Sequence, residues 1–423
     1  MANFTGQSIS ESYQRVLQVD GGVIQDGLGN TVNATINSLT GSFTGSFTGD
    51  GSGLTGVGGN AFPFTGSAQI SGSVLINSQL TLGVGTGAAL FTPNNNTFNV
   101  ALGYNNLQNN TTGFRNVALG QNALRYNTTG NNNIAQGFRA LYKNTTGNYN
   151  VALGYGALYS NATGNYNVAL GQGSLQANTS GSNNVALGKS ALQQNTEGNG
   201  NVALGASALK YNTTGQYNVA LGLNALYSNT TGYNNVALGL NALRFNTEGN
   251  HNIAQGYRAL YSNTTGINNI ALGNSALKYN TTGNNNIAQG YKALYSNTTG
   301  NSNVAIGDRA LFSNTEGINN VALGGDALYN NIIGTYNTSI GYAALSNNIS
   351  GSFNTGVGFS AQSGDYSGSL ILGAHATATA NGQLALGSTT YPLGPVVNEA
   401  KVSNRTLEIN LNGNLYKMML YKA

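Results

Sequence analysis

Residues 218–232 read NVALGLNALYSNTTG, and this stretch decides the fold because it returns every seventeen residues. Its first glycine recurs in strict register from Gly103 to Gly358, through Gly120, Gly137 and Gly154 and on to Gly341, sixteen glycines in all. The repeat is N-V-A-L-G-x-x-A-L-x-x-N-T-T-G-x-x. A unit this short cannot bury its own apolar residues, so it must stack on its neighbours. N-V-A-L-G alternates and is β-branched, which predicts a short strand. The A-L-x-x segment predicts a second strand, and N-T-T-G a turn whose Gly or Asn supplies left-handed torsions. A glycine or turn every few residues stops any helix after a single turn. The expected fold is all-β, a parallel β-solenoid of 17-residue coils.

Stacked coils place equivalent residues above one another, so sixteen of them at about 4.8 Å make a rod roughly 75 Å long. One Asn column runs from Asn99 to Asn354 and a second from Asn110 to Asn348. Both are expected to form amide ladders. Within the strand, Val and Leu point one way and Ala the other; which side faces inward is left open by the sequence. The Leu column turns to glutamine at Gln136, Gln255 and Gln289. A core glutamine needs partners, which suggests that this column lies near a subunit interface.

Composition narrows the function. Charged residues are 7 % of 423, and 61 are glycine, a balance unlike that of a typical cytosolic enzyme. At 40 % hydrophobic with 24 Tyr, the chain is also unlike ordinary disordered sequence. The net charge of +4 is spread thinly with no basic run, so no nucleic-acid partner is expected. Zero cysteines remove disulfides and thiolate sites. The opening MANFTGQSISESYQ reads as no secretory signal, and no apolar run reaches the roughly 20 residues of a membrane helix, so no membrane insertion is expected.

After Gly358 the spacing shortens, with glycines at Gly373 and Gly387 in SLILGAHATATANGQLALG. Coils of about 14 residues with this strand resemble the head repeats of trimeric autotransporter adhesins. The 17-residue NTTG form resembles repeats of tailed-phage tail-fibre proteins. The resemblance spans residues 99 to about 387 and implies a left-handed β-roll assembled as a homotrimer. Residues 1–60 are read as a virion-attachment or stalk segment, on YQRVLQVDGGVIQDGLGNTV and the GSFTGSFTGDGSGLTGVGG stammer. Residues 61–98 are a linker with irregular β turns, 99–368 the sixteen-coil shaft, 369–390 the shorter coils, and 391–423 a β-hairpin cap. The hairpin rests on Asn412-Gly413 between alternating apolar residues, with Leu407, Ile409 and Leu411 set to share a face with Leu415 or its neighbours. The resemblance implies a virion tail fibre acting outside the cell. Its partners would be a tail or baseplate protein at the N-terminus and a host-surface polysaccharide or receptor.

No catalytic pair is expected. Glu197, Glu248 and Glu316 share one column but stand three and four coils apart, about 14 and 19 Å, too far for two carboxylates to work on one bond within a chain. Asp326 falls one coil below Arg309, the spacing of a surface ion pair. His251 and His375 stand alone in sequence, so neither a metal nor a cofactor is expected. What remains is recognition. The two columns after each A-L carry Arg125-Tyr126, Lys210-Tyr211, Arg244-Phe245 and Lys278-Tyr279, or a leading tyrosine at Tyr142, Tyr159, Tyr227, Tyr261 and Tyr295. Stacked, they form a stripe of rings and cations suited to sugars with anionic groups, though tyrosine ladders also serve simply to cover coil edges. Three alternatives stand beside the tail fibre: an ice-binding solenoid, a bacterial surface adhesin, and a depolymerase with carboxylates paired across subunits.

Overall fold

The computed structural model describes residues 98–388 and 390, with the backbone of four outlying strands, Gln18–Asp20, Val23–Gln25, Thr406–Leu411 and Asn414–Met419. The chain divides into two units, Met1–Val74 and Leu75–Ala423. In the first, Gln18–Asp20 pairs antiparallel with Val23–Gln25. The glycine-rich stammer and the linker after it lie outside the described residues, up to residue 97.

The second unit contains the solenoid. Eighteen three-residue strands, from Val100–Leu102 to Leu384–Leu386, form one parallel sheet, each strand paired with those of the coils before and after it. Val219 lies between Val202 and Val236, Ala220 between Ala203 and Ala237, and Leu221 between Leu204 and Leu238. The step is seventeen residues as far as Thr355, which pairs with Leu370, fifteen residues on; Leu370 then pairs with Leu384, fourteen on. Among the described residues there is no helix, and the first and last of these strands each have a single neighbour. The parallel β-solenoid expected from the repeat is the fold observed.

The strand side chains sort by burial. Ala220 is fully buried while Val219 and Leu221 stay partly exposed, and the same buried centre recurs from coil to coil. Alanine therefore points into the coil and the Val and Leu columns point out. The three glutamines follow the Leu column to the outside, where Gln136, Gln255 and Gln289 are exposed. They are surface residues of the single chain, not core glutamines.

The A-L-x-x segment is not a strand. Asn224 and Leu226 have φ of 55° and 50°, and the equivalent leucines of the other coils repeat this left-handed torsion. The reason lies in packing. Adjacent residues of a strand face opposite sides, yet Ala225 and Leu226 are both fully buried. The left-handed torsion, costing about 1–2 kcal/mol for a residue with a Cβ, turns both side chains inward. Burying the leucine, worth about 1.5–3 kcal/mol, offsets that cost. The backbone ladder continues regardless, with Leu226 N–H donating to the Ala242 carbonyl at 3.0 Å.

Two asparagine ladders complete the interior. Asn218 donates its main-chain N–H to Asn201 Oδ1 at 3.0 Å and its amide to the Gly232 carbonyl at 2.8 Å. Asn229 donates to Asn212 Oδ1 at 2.8 Å and to the same Gly232 carbonyl at 2.9 Å, and accepts from Asn246 at 2.8 Å. All of these asparagines are fully buried, so the amides satisfy the corner carbonyls that a narrow coil shuts away from water. The two glycines of each coil are fixed for different reasons. Gly222 has φ +137°, and a Cβ there would stand 2.6 Å from the Gly239 carbonyl oxygen. Gly232 has no positive φ, but the space for its Cβ is filled by the Asn229 amide oxygen and the Gly249 carbonyl.

The N-T-T-G corner aims three consecutive N–H groups, those of Thr230, Thr231 and Gly232, at the carbonyl of Thr247 in the next coil. Where the repeat shortens, the next carbonyl is lost and Asp365 replaces it. Its Oδ1 accepts from the N–H groups of Ile349, Ser350 and Gly351, and its Oδ2 accepts from the Ser350 hydroxyl at 2.8 Å. Burial works against the charge, but the bonds from Ser350, Gly351 and Ile349 outweigh it and hold the carboxyl below its usual range.

At the C-terminal end, Thr406–Leu411 and Asn414–Met419 pair antiparallel around the Asn412-Gly413 position, as the sequence predicts. In register, Leu407 stands opposite Met418 and Ile409 opposite Tyr416, so Leu415 pairs with Asn410 instead. The side chains of this hairpin, and so its role as a cap, lie outside the described residues.

Candidate recognition surface

The corner after each A-L pair projects side chains outward because the buried leucine's left-handed torsion turns the chain. The first position after leucine lies half-buried at Tyr142 and Lys278, and the second is exposed where it carries a long side chain, as at Lys143 and Tyr279, but only half-buried where it is small, as at Ser160 and Ser228. The thirteen residues singled out in the sequence fall into two groups on this corner. The first holds Arg125, Tyr126, Tyr142 and Tyr159: Tyr126 meets Tyr142 edge-on at 5.0 Å, and Tyr142 stacks on Tyr159 at 5.0 Å. The second runs from Lys210 to Tyr295 and on to Tyr329. In it Tyr211 meets Tyr227, Phe245 meets Tyr261, and Tyr279 meets Tyr295, each at 5.0 Å. Phe312 and Tyr329 extend it by stacking. The two groups are separated by coils where Gln193 donates to Gln176 at 2.9 Å, so the stripe is interrupted rather than continuous.

Cations sit over these rings. Arg244 bridges Tyr227 and Phe245 at 5.5 and 5.4 Å, and Lys210 lies over Tyr211 and Tyr227 at 5.2 and 5.7 Å. Lys278 donates to the hydroxyls of Tyr279 and Tyr295 at 3.0 and 3.1 Å. Its ammonium draws the Tyr279 phenol below its ordinary value, and the bond to Tyr279 in turn raises Lys278.

A second set of ring-cation groups was not recognised from sequence. It occupies the two positions after the first glycine, where Arg139 lies over Phe138 and Tyr142 at 5.0 and 5.5 Å. Arg258 lies over Tyr257 and Tyr261 at 5.0 and 5.4 Å, and Lys292 over Tyr291 and Tyr295 at 5.0 and 5.5 Å. The signal was available: aromatic-cation pairs follow the glycine in three coils, each with a tyrosine four residues beyond its aromatic. The Nε atoms of Arg244 and Arg258 are buried without a hydrogen-bond partner. Among the described residues the ion pairs all belong to Arg309, at 2.9 Å from Asp326 and 3.5 Å from Asp308. The cations of both sets therefore have no carboxylate neutralising them among the described residues.

The other sequence candidates are scattered. Glu197, Glu248 and Glu316 are exposed on separate coils. His251 bonds Asn234 at 3.2 Å and meets the edge of Tyr233, and His375 meets Phe359. Among the described residues no three His, Asp or Glu side chains form a metal-holding group. The first Thr of each turn is occupied, as where Thr230 donates to the Thr247 carbonyl at 3.0 Å. Comparison with family models and with curated proteins returns no match.

Proposed function

We propose that this chain is the shaft of a homotrimeric, adhesive tail-fibre-like protein that attaches at its N-terminal end and recognises acidic glycans through the rings and cations of its corners. The observation that carries the proposal is the outward face of the sheet. Eighteen strands, three residues wide, present half-exposed Val, Ile and Leu columns over an area of roughly 80 by 10 Å. Monomers rarely leave an apolar patch above a few hundred Å² uncovered, and a stable interface uses about 800 Å² per partner. The face is repetitive and the same on every copy, so further copies of this chain are the occupants that fit. Three copies, and a left-handed coil, are what the resemblance to tail fibres and trimeric adhesins implies.

Recognition without catalysis suits the corners. Unneutralised Arg and Lys held over exposed rings offer stacking to a sugar and charge to its acidic group. The ice-binding alternative is less well served, because the first Thr of each turn spends its hydroxyl on a backbone carbonyl. Light scattering after size exclusion tests the assembly. The expected mass is three times 43.5 kDa, and Leu221→Glu with Leu238→Glu should lower it while leaving the β signal intact. A monomeric parent chain would overturn the proposal. Binding to an acidic polysaccharide should fall at least tenfold when Lys278 and Tyr279 become alanine.

A further inference from the structure

A face built from identical coils raises a problem of register. Copies displaced by one coil, about 4.8 Å, would still bring Val and Leu columns together, so the apolar surface alone discriminates weakly between the correct alignment and its neighbours. Something must break the repeat.

Three residues on that face do. Gln136, Gln255 and Gln289 stand in the Leu column, flanked in the sheet by Leu119 and Leu153, Leu238 and Leu272, and Leu272 and Ile306. They occupy the third, tenth and twelfth of the eighteen strands. Their side-chain amides are exposed and make no hydrogen bond among the described residues. The spacings between them are seven, two and nine coils. Displacing one copy by one coil therefore leaves no glutamine opposite another, and a displacement of two, seven or nine restores one match of three. Only full register matches all three. The glutamine coils also form a distinct type: each has Ile two residues before Gln and an aromatic-cation pair after the glycine, and no other coil combines Gln in this column with that pair.

We propose that Gln136, Gln255 and Gln289 set the register of the assembly, each meeting its counterparts in other copies of this chain. An amide satisfied by a like amide is tolerated inside an apolar interface, whereas one set against leucine is buried without partners. Single polar residues in otherwise apolar coiled-coil seams fix alignment in this way. Spaced irregularly, three of them penalise every displaced register of a periodic face. The inference rests on the homo-oligomeric reading above.

The full chain has no cysteine, so cross-linking can read register directly. Chains carrying Leu221→Cys are co-assembled with differently tagged chains carrying Leu238→Cys, one coil apart, and oxidised. A disulfide requires Cβ atoms about 4 Å apart, so 221–221 and 238–238 products report full register and 221–238 products a one-coil slip. The parent background should give same-position products with less than a tenth as much 221–238. In a Gln136→Leu, Gln255→Leu, Gln289→Leu background the 221–238 product should rise at least fivefold at unchanged native mass. Because leucine already occupies this column in most other coils, the triple variant is expected to fold. An unchanged product ratio at the parent's native mass overturns the register role alone. A monomeric parent, with no cross-links at all, overturns the oligomeric reading beneath it.

Discussion

Replacing Asn229 with alanine tests whether the interior amides hold the coils together. Two buried groups lose a partner: Asn212 Oδ1, which accepts from Asn229, and the Asn246 N–H that donates to it. The Gly232 carbonyl keeps its bond from Asn218. An unsatisfied buried polar group costs about 1–3 kcal/mol, so the variant should lose about 2–6 kcal/mol locally. Stacked repeats couple chiefly to their nearest neighbours, which confines the loss to the adjoining coils. Hydrogen exchange on the intact chain reads this directly. At about 1.4 kcal/mol per tenfold, peptides covering residues 212–246 should exchange roughly 30-fold faster or more, while peptides covering 134–160 stay at the parent rate. Asn229→Asp sharpens the test. An ionised carboxylate would face two acceptors, Asn212 Oδ1 and the Gly232 carbonyl, so its folded pKa must rise. The penalty should be small below the unfolded value of about 3.9, grow as pH rises above it, and level off past the raised folded pKa. Exchange within threefold of the parent for Asn229→Ala, or no acid rescue for Asn229→Asp, would refute the ladder argument.

Gly222→Ala, which drives a Cβ to 2.6 Å from the Gly239 carbonyl at φ +137°, should lower the melting temperature, whereas Gly156→Asn, at φ +62° with nothing within 4 Å of the new Cβ, should leave it unchanged; equal melting for both would contradict the steric reading. Asp365→Ala should speed exchange at the amides of residues 349–351. Because the Asp365 pKa is lowered in the fold, its contribution is complete above the ordinary carboxylate value of about 3.9 and is lost as pH falls through the depressed one. The parent should therefore lose protection at these amides in acid and the alanine variant should show no such dependence. Lys278→Gln with Tyr279→Gln, which copies the Gln193-Gln194 pair of another coil, should shift stability by less than about 1 kcal/mol while weakening acidic-glycan binding; a large loss of stability would assign the rings to packing.

The repeat made the solenoid, its in-register stacking, the shortened final coils and both asparagine ladders legible in advance, because each is a consequence of one residue type recurring at one spacing. The Arg309-Asp326 pair followed from the same arithmetic and closes at 2.9 Å. The A-L-x-x segment was misread as a strand because propensity does not reveal that Ala225 and Leu226 must both point inward. That requirement is set by the narrow cross-section of the coil and is met only by a torsion leucine rarely adopts. The face of the strand stayed open for a related reason: Val, Ala and Leu are all apolar, and only size in a confined interior selects alanine. Asp365 was invisible because its role depends on a missing carbonyl, which becomes apparent only once the shortened coil is built.

Sixteen copies of one coil inside one chain act as an internal comparison of what the geometry demands. The interior asparagines do not vary from Asn116 to Asn354, and where the strand alanine changes the coil adjusts around it: the Ser339 hydroxyl donates to the Ala344 carbonyl at 2.7 Å, and at Gly356 an added Cβ would strike Leu345. The first turn Thr, by contrast, gives way to Ala162, Ile332 and Ile349, since the corner needs a backbone carbonyl there and not a hydroxyl. The positions after the buried leucine and after the first glycine accept Gln, Lys, Arg, Tyr, Phe, Ala and Ser without altering the stack. Folding places no demand on them that would collect cations over rings, and apart from Arg309 the Arg and Lys side chains of these corners have no carboxylate partner among the described residues.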